Sequence, residues 1–553
     1  LKHSHAPDLS FCTKAFCKRC DDRGCKRIGG RIIHMNMKTD RKGRKMDRKP
    51  NIVIVMTDQQ RADLRKSCGY ELDTMPFLDE WAHGGVDFER AYTSNPTCMP
   101  ARVSMFTGRY SQCHKARTNH NAVDAYYTKD LLDVLKKNGY VTALCGKNHS
   151  HHSPSDFDFH EETGHLGYEG EKNTTSRELE FADYLCQTGH MEMHSPSPGG
   201  VEVQHPYRNV SSALHFIDGL NGQRPFFAWV SFAEPHNPYQ VPEPYFDMFP
   251  PQELPPVHAG KEKLDEKGER FLWLRSVWEK ILGENIEERI LRARSNYHGM
   301  LRLIDDQFKR LVEGLRERGL EKNTIVIYLS DHGDFVGEYG LIRKGPDLPD
   351  ILCHIPMIWK GPGIKAQGKM GNGFVNIVDI LPTLCDYLNI EVPFGCQGKS
   401  IRPLLEGREV MMEEFGTAYA ESGFSGLYWK EDDRLTLTGE GAVGNMVTFD
   451  CLNTWTQCGQ VRALWKGNYH IQMDMMGNGY LYRLDKDPFE LENLWEKEEY
   501  AEIRKKMTEA LAVEMLKQTD PLPAPHRRYR TKVHPKGYWY QEYVAEDPGL
   551  RED

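Results

Sequence analysis

Nothing in this 553-residue chain approaches the roughly 20 consecutive apolar residues that a helix needs to cross a bilayer. The longest strand-like apolar stretch, Ile52–Met56, is far too short. The N-terminus lacks the apolar core and small-residue cleavage site of a secretory signal, so a cytoplasmic protein with no membrane partner is expected. No internal repeat is present, which excludes solenoids and propellers. A disulfide scaffold is absent too: the 14 cysteines are scattered through a long chain, as reduced thiols are. What the chain does have, 39% hydrophobic and 27% charged residues, suits a globular protein large enough for more than one domain.

One local exception is a cluster of Cys12, Cys17, Cys20 and Cys25, whose spacing could hold zinc. A disordered leader, or a start placed too early ahead of Met35, Met37 and Met46, is the plainer reading. Residues 1–50 carry 15 Lys and Arg against 5 Asp and Glu, whereas the whole chain is −9, so the remainder sums to −19. Such a basic tail is ordinarily a solvated segment, and no nucleic-acid partner is expected. The organisation read from these shifts is a tail over 1–48, a catalytic α/β domain over 49–400, a smaller subdomain over 401–520 and a second tail over 521–553.

After the first tail, "KPNIVIVMTDQQ" reads as a buried strand ending in polar residues. "TKDLLDVLKKNGY" (128–140) has helical spacing and a Gly stop, followed by the strand "VTALCG". "RPFFAWVSFAEPH" (224–236) and "NTIVIYLSDHGD" (323–334) are further strands, and 294–319 is a long amphipathic helix ending at Gly319. Helices alternating with solidly apolar strands indicate an α/β fold with a large, mostly parallel sheet flanked by helices. Beyond about residue 400, short strands such as 461–473 and 479–485 precede a charged helix at 494–518, the profile of a smaller antiparallel subdomain. The segment 150–222, rich in His, Gly and Ser, is expected to form loops over the sheet edge.

In open α/β sheets ligands collect beyond the carboxyl ends of the strands. Here those ends carry Asp58 and Gln59, Lys147 and His149, His236, and Asp331 and His332. Two carboxylates, an amide oxygen and an imidazole could converge on one cation, and an oxygen-rich set favours Ca2+ or Mg2+ over zinc. Singly, each has a bland alternative. Asp58 and Asp331 serve equally well as turn caps, Lys147 as a solvated charge, and His149 as one of several histidines in a polar run. The ensemble, at matching topological positions, favours a site.

The stretch "NPTCMPARVSMFTGRY" (95–110) places Cys98, Pro100 and Arg102 in a C-x-P-x-R pattern that continues into "FTGR". This resembles the signature of the type I sulfatases, and blocks such as "GYVTALCGKNH", "EPHNPY", "GLIRKG" and "YRLDKDPFELENL" resemble successive family segments over about 50–520. The resemblance implies an alkaline-phosphatase-like sandwich with a C-terminal subdomain. It also implies that a formylglycine-generating enzyme, or an anaerobic maturase, oxidises Cys98 to formylglycine. The substrate it implies is a small sulfate ester; a sulfated saccharide is the preferred candidate.

By that resemblance Asp58, Gln59, Asp331, His332 and modified Cys98 hold the metal, Ca2+ in preference to Mg2+. Arg102 holds the diol, Lys147 and Lys344 neutralise the sulfate, His149 takes the diol proton and His236 protonates the leaving alcohol. Many family members carry a second Asp where Gln59 stands and Asn where His332 stands. The rival readings are a phosphonate monoester or phosphodiester hydrolase of the same superfamily, and a non-catalytic binding protein on the same scaffold. Trp429, Trp455, Trp465, Tyr469, Tyr480 and Tyr482 are candidates for stacking on a sugar, or for core packing.

Overall fold

A strand with apolar residues at successive positions has to be covered on both faces. In the computed structural model, which describes residues 49–220, 222, 224–425 and 459–519, the strand β1 (Asn51–Asp58) is buried throughout. Val53 and Val55 point into one core, and Ile52, Ile54 and Met56 into the other. The following strands are β2 (Val86–Phe88), β3 (Ala91–Tyr92), β4 (Val141–Gly146), β5 (Phe159–Glu162), β6 (Phe226–Pro235) and β7 (Thr324–Ser330). After them come β8 (Met357–Lys360), β9 (Gly368–Met370), β10 (Val375–Asn376), β11 (Thr417–Ser422), β12 (Val461–Lys466), β13 (Tyr469–Asp474) and β14 (Gly479–Arg483).

The main sheet runs in the order β5-β4-β6-β1-β7-β8-β2-β9. Its pairings are parallel from β5 through β7, antiparallel at β7–β8 and β8–β2, and parallel again at β2–β9. This is the mostly parallel α/β sheet expected from the alternation of elements. On one face the 32-residue helix Ile286–Glu317 buries Tyr297, Leu301, Ile304, Phe308 and Leu311; it begins a full two turns before the periodicity suggested. On the other face lie the helices Cys98–Thr107 and Ile380–Leu388. A separate antiparallel sheet, β11-β12-β13-β14, shares that second core through Leu464, Ile471 and Leu481, with Met507 and Leu511 of the helix Ala501–Gln518. The Cys12–Cys25 cluster, Trp429 and Trp455 lie outside the described residues.

The segment 150–222 departs from the expected loops. It contains the helices Ser176–Gln187 and His205–Asp218 as well as β5. The signals are local: Thr175 and Glu178 form a capping box, and Pro206 sits in the first turn of the second helix. Two of the aromatics late in the chain are settled by packing, whereas Tyr469 and Tyr480 are half-buried. Trp465 is fully buried, lies parallel to His470 at 4.2 Å and donates its indole N–H to Asp350 Oδ1 at 2.8 Å. Tyr482 is buried as well.

Gly146, the last residue of β4, has φ 112°, and a Cβ there would lie 2.0 Å from the Ser231 carbonyl oxygen. That close approach lets the Lys147 amide donate to Ser231 O at 2.8 Å, delivering Lys147 to the end of the sheet. Gly146→Ala is expected to lower the unfolding free energy by more than about 2 kcal/mol, since both the backbone region and the space oppose it. Urea unfolding measures this; an unchanged midpoint would show that the approach is not constraining.

Candidate active site

Because β1 and β7 pair in parallel with Thr57 opposite Ser330, the residues that follow them emerge side by side. Asp58, Gln59, Asp331 and His332 are all fully buried there. Gln59 has φ 69°, a left-handed turn that lets consecutive side chains serve one centre; its amide N donates to Asp331 Oδ1 at 3.0 Å.

Cys98 opens the helix Cys98–Thr107, with Thr97 extended as its N-cap and Gly108 left-handed as its C-cap. All ten residues are buried, so the helix is a core element. Its first residue projects the sulfur into the cluster: 3.2 Å from His332 Nε2, 3.3 Å from Lys344 Nζ and 3.5 Å from Asp58 Oδ1. Arg102, one turn on, turns toward the carboxylates. Its Nε donates to Asp331 Oδ2 at 2.9 Å and one Nη to Asp58 Oδ2 at 3.0 Å. The other Nη donates to Ser231 Oγ at 2.8 Å and to the Lys147 carbonyl at 3.1 Å. It braces the two acids and the Lys147 backbone. Lys147 Nζ also donates to Asp58 Oδ2.

The ten residues expected at the site are therefore brought together. Lys344 Nζ bridges Cys98 and Gln59 Oε1 (3.4 Å). His149 and His236 interact with the Cys98 thiol. Four further residues were not read from the sequence. Asp334 accepts from Gln59 Nε2 at 2.5 Å and from Tyr239 Oη at 2.7 Å. Ser231 holds Arg102, and His165 stacks on His236 at 4.1 Å between ring centroids. His165 and His149 are half-buried, which marks the side open to solvent. Of these only Asp334 had a sequence signal, its place in the same D-H-G-D run as Asp331; Ser231, Tyr239 and His165 are joined by tertiary contacts alone.

The electrostatics are those of a crowded anion pair among cations. Burial and the facing Asp58 push Asp331 up to about 6, against the pull of His332 and Arg102. Burial also works to raise Asp58, but Lys147, His236, Arg102 and His332 hold it well below the usual carboxylate range. Burial and Asp58 oppose ionisation of Cys98, yet Lys344, Lys147 and His332 outweigh them and draw the thiol well down. Burial lowers His149, and it takes His236 down to about 4 despite Asp58 and Cys98.

A divalent cation fits this donor set. One ligand atom each from Asp58, Cys98, Asp331 and His332 lies within 4.8 Å of the others. His332 Nδ1 must carry its proton, since it donates to the Gly333 carbonyl at 2.9 Å, so Nε2 is the nitrogen offered to a cation. Gln59 is oriented by the same logic. Asp334 can only take the NH2 end of the amide, which turns Oε1 inward.

A sheet that gathers two carboxylates, an amide and an imidazole around a buried cysteine flanked by two lysines defines a hydrolase centre for an anionic ester. The chain belongs to the sulfatase family: the family profile, described as Sulfatase, matches residues 50–390. It is a sulfatase, an enzyme that hydrolyses sulfate esters. It is 29% identical over 485 residues to an arylsulfatase of Clostridium perfringens, spanning 82% of this chain and 92% of that protein. It is 27% identical over 400 residues to an ulvan-active sulfatase of Formosa agariphila, spanning 69% and 70%. Among solved structures, a phosphonate monoester hydrolase of Agrobacterium radiobacter shares the fold, with a TM-score of 0.68 and 22% identity over 86% of this chain and 97% of that one.

Two outcomes are expected. Asp334→Asn frees the Gln59 amide to flip, and should weaken divalent-cation binding by about 10-fold or more, read by titration calorimetry; unchanged affinity would remove Asp334 from this role. Cation binding requires ionised Asp331, so affinity should fall as pH drops through about 6. The sign for the cation-free protein is opposite. A folded-state carboxyl raised above its unfolded value retains its proton longer, so this group's contribution to stability declines as pH rises through that window. Melting curves across the window, with and without cation, measure both.

Proposed function

We propose that this sulfatase acts through a formylglycine made from Cys98, with Ca2+ as its cation and a sulfated saccharide as its substrate. The observation that carries the proposal is the placement of the Cys98 sulfur. It sits at a helix start within 3.5 Å of Asp58, His332 and Lys344, where a nucleophile would be needed and a structural thiol would have no reason to meet so many charges.

Oxidation of the CH2–SH side chain to CHO, followed by addition of water, would leave two hydroxyls on one carbon. Asp58, Gln59, Asp331 and His332 would hold Ca2+, which when bound supplies positive charge that acidifies the diol and withdraws charge from the sulfuryl oxygens. One hydroxyl, its proton released to solvent, would attack sulfur as the oxyanion, the bond from sulfur to the alcohol oxygen would break, and His236, protonated from solvent, would give that oxygen its proton. The second hydroxyl passes its proton to His149, the C=O bond re-forms, and sulfate departs without water having to attack the intermediate. Burial holds His236 low and the two lysines add to it; an anionic substrate between Lys147 and Lys344 would offset the lysines' share and favour the protonated acid. The two lysines act most strongly as charge builds on the sulfuryl oxygens. The ulvan-active relative supports a saccharide substrate. The Lys147-Asn148-His149 block supports a sulfate over a phosphonate ester.

Co-expression with a formylglycine-generating enzyme or its anaerobic counterpart should make the peptide containing residue 98 lighter by about 18 Da, as conversion of thiol to aldehyde requires. Cys98→Ala should abolish hydrolysis of 4-nitrophenyl sulfate, and Lys344→Ala should lower kcat by about 100-fold or more. An active protein with an intact thiol would overturn the mechanism. A phenylphosphonate ester cleaved orders of magnitude faster than the sulfate would overturn the substrate class, and a panel of sulfated mono- and disaccharides would define it.

A further inference from the structure

We propose that Asp130, His151 and His152 form a second metal site that takes a borderline transition cation such as Zn2+. Among the described residues, this cluster and the one at Cys98 are the two in which three or more possible ligand atoms lie within 4.8 Å of one another. Both imidazoles converge on a single carboxylate oxygen: His151 Nε2 stands 2.8 Å and His152 Nε2 2.7 Å from Asp130 Oδ2. The three side chains are 2%, 7% and 0% exposed.

The hydrogen bonding of the cluster is incomplete in a way that a cation would remedy. His152 Nε2 makes its close approach without hydrogen-bond alignment, and the buried His151 Nδ1 has no partner. The carboxylate is already aimed, since its other oxygen, Oδ1, accepts from the Asp133 amide at 3.0 Å. His152 Nδ1 faces Asp156 Oδ2 at 3.7 Å, so with Nε2 on a metal its remaining ring N–H would meet a carboxylate, the usual outer partner of a ligating histidine. Asp156 is half exposed, which leaves solvent a route to an otherwise closed site. Phe106, Tyr127 and Phe157 pack around the rings and fix their planes. Two imidazoles and one carboxylate make an N2O set, which selects zinc-like cations over Ca2+. The net charge of the cluster with neutral rings is −1, which a divalent ion reverses.

The consequence is structural. His151 and His152 lie on the same short segment as Lys147 and His149, and Phe106 belongs to the Cys98 helix. His152 O also accepts from Asn148 Nδ2 at 2.8 Å. A cation here would staple the Lys147–His149 segment to the start of the helix Leu131–Lys137, which Asp130 caps.

The test is equilibrium dialysis against Zn2+ in Ca2+-containing buffer with elemental analysis, using the full chain in a Cys98→Ala background so that this thiol does not compete. The parent should hold one more equivalent of Zn2+ than either His152→Gln or the pair His151→Gln/His152→Gln, and its Tm should rise with Zn2+ while theirs does not. Equal zinc content in parent and folded variants overturns the site. Should the variants fail to fold by circular dichroism, the parent further carrying Asp331→Ala and loaded with Co2+ decides: a visible d–d band that persists after thiol alkylation supports the site, and its absence overturns it. Sulfatase activity, expected to be absent throughout this background, plays no part in the result, because the readout is metal content.

Discussion

Two carboxylates buried side by side organise this molecule. At an effective dielectric of about 20, unit charges about 4 Å apart repel by about 4 kcal/mol, so Asp58 and Asp331 require cations close by. The parallel pairing of β1 and β7 places the two acids together, and Arg102 answers both at once, with a nitrogen on each. Since the guanidinium is held by the acids and by Ser231 on β6, the helix that carries it has one position available. Cys98, one turn earlier on that helix, is thereby set into the cluster. The location of Cys98 thus follows from an electrostatic requirement of the sheet ends.

The same constraint explains where the backbone is unusual. Gln59, His149 and Arg343 have φ of 69°, 44° and 65°, and each lies within or next to the site. Non-glycine residues there cost of order 1–3 kcal/mol each and persist only where neighbours hold them. Tyr297 Oη donates to the Gln59 carbonyl at 2.8 Å, and Arg343 N donates to Tyr239 Oη at 3.1 Å. Tyr297 comes from the long helix, so the core behind the sheet supplies the bracing that the site consumes.

Much of this was legible in the chain. β1, β4, β6 and β7 announce themselves as apolar runs ending in Asp, Lys, His and Asp-His, and the C-x-P-x-R pattern singles out Cys98. What was hidden depends on contacts distant in sequence. The resemblance points Arg102 at Cys98, but only the fold reveals the carboxylates within its reach. The helices of 150–222 escaped notice because their composition is polar, although Thr175 and Glu178 mark one start. Trp465 reads equally well as a sugar platform or a core residue until Asp350 and His470 are seen against it.

Gln59 and His332 carry a last step of reasoning, because the family resemblance leads one to expect Asp and Asn at these positions. With residue 98 as the proposed uncharged formylglycine and the His332 ring neutral, as binding a cation through Nε2 requires, Arg102, Lys147 and Lys344 against Asp58 and Asp331 sum to +1; a third carboxylate at position 59 would bring the sum to zero. The centre is therefore better suited to draw in an anionic ester and less able to hold a divalent ion by charge alone. Retention of that ion must then rest on the orientation of neutral donors, through the Gly333 carbonyl behind His332 and the Asp334 carboxylate behind Gln59. In this sulfatase the outer partners would carry a share of cation binding that a third carboxylate would otherwise supply.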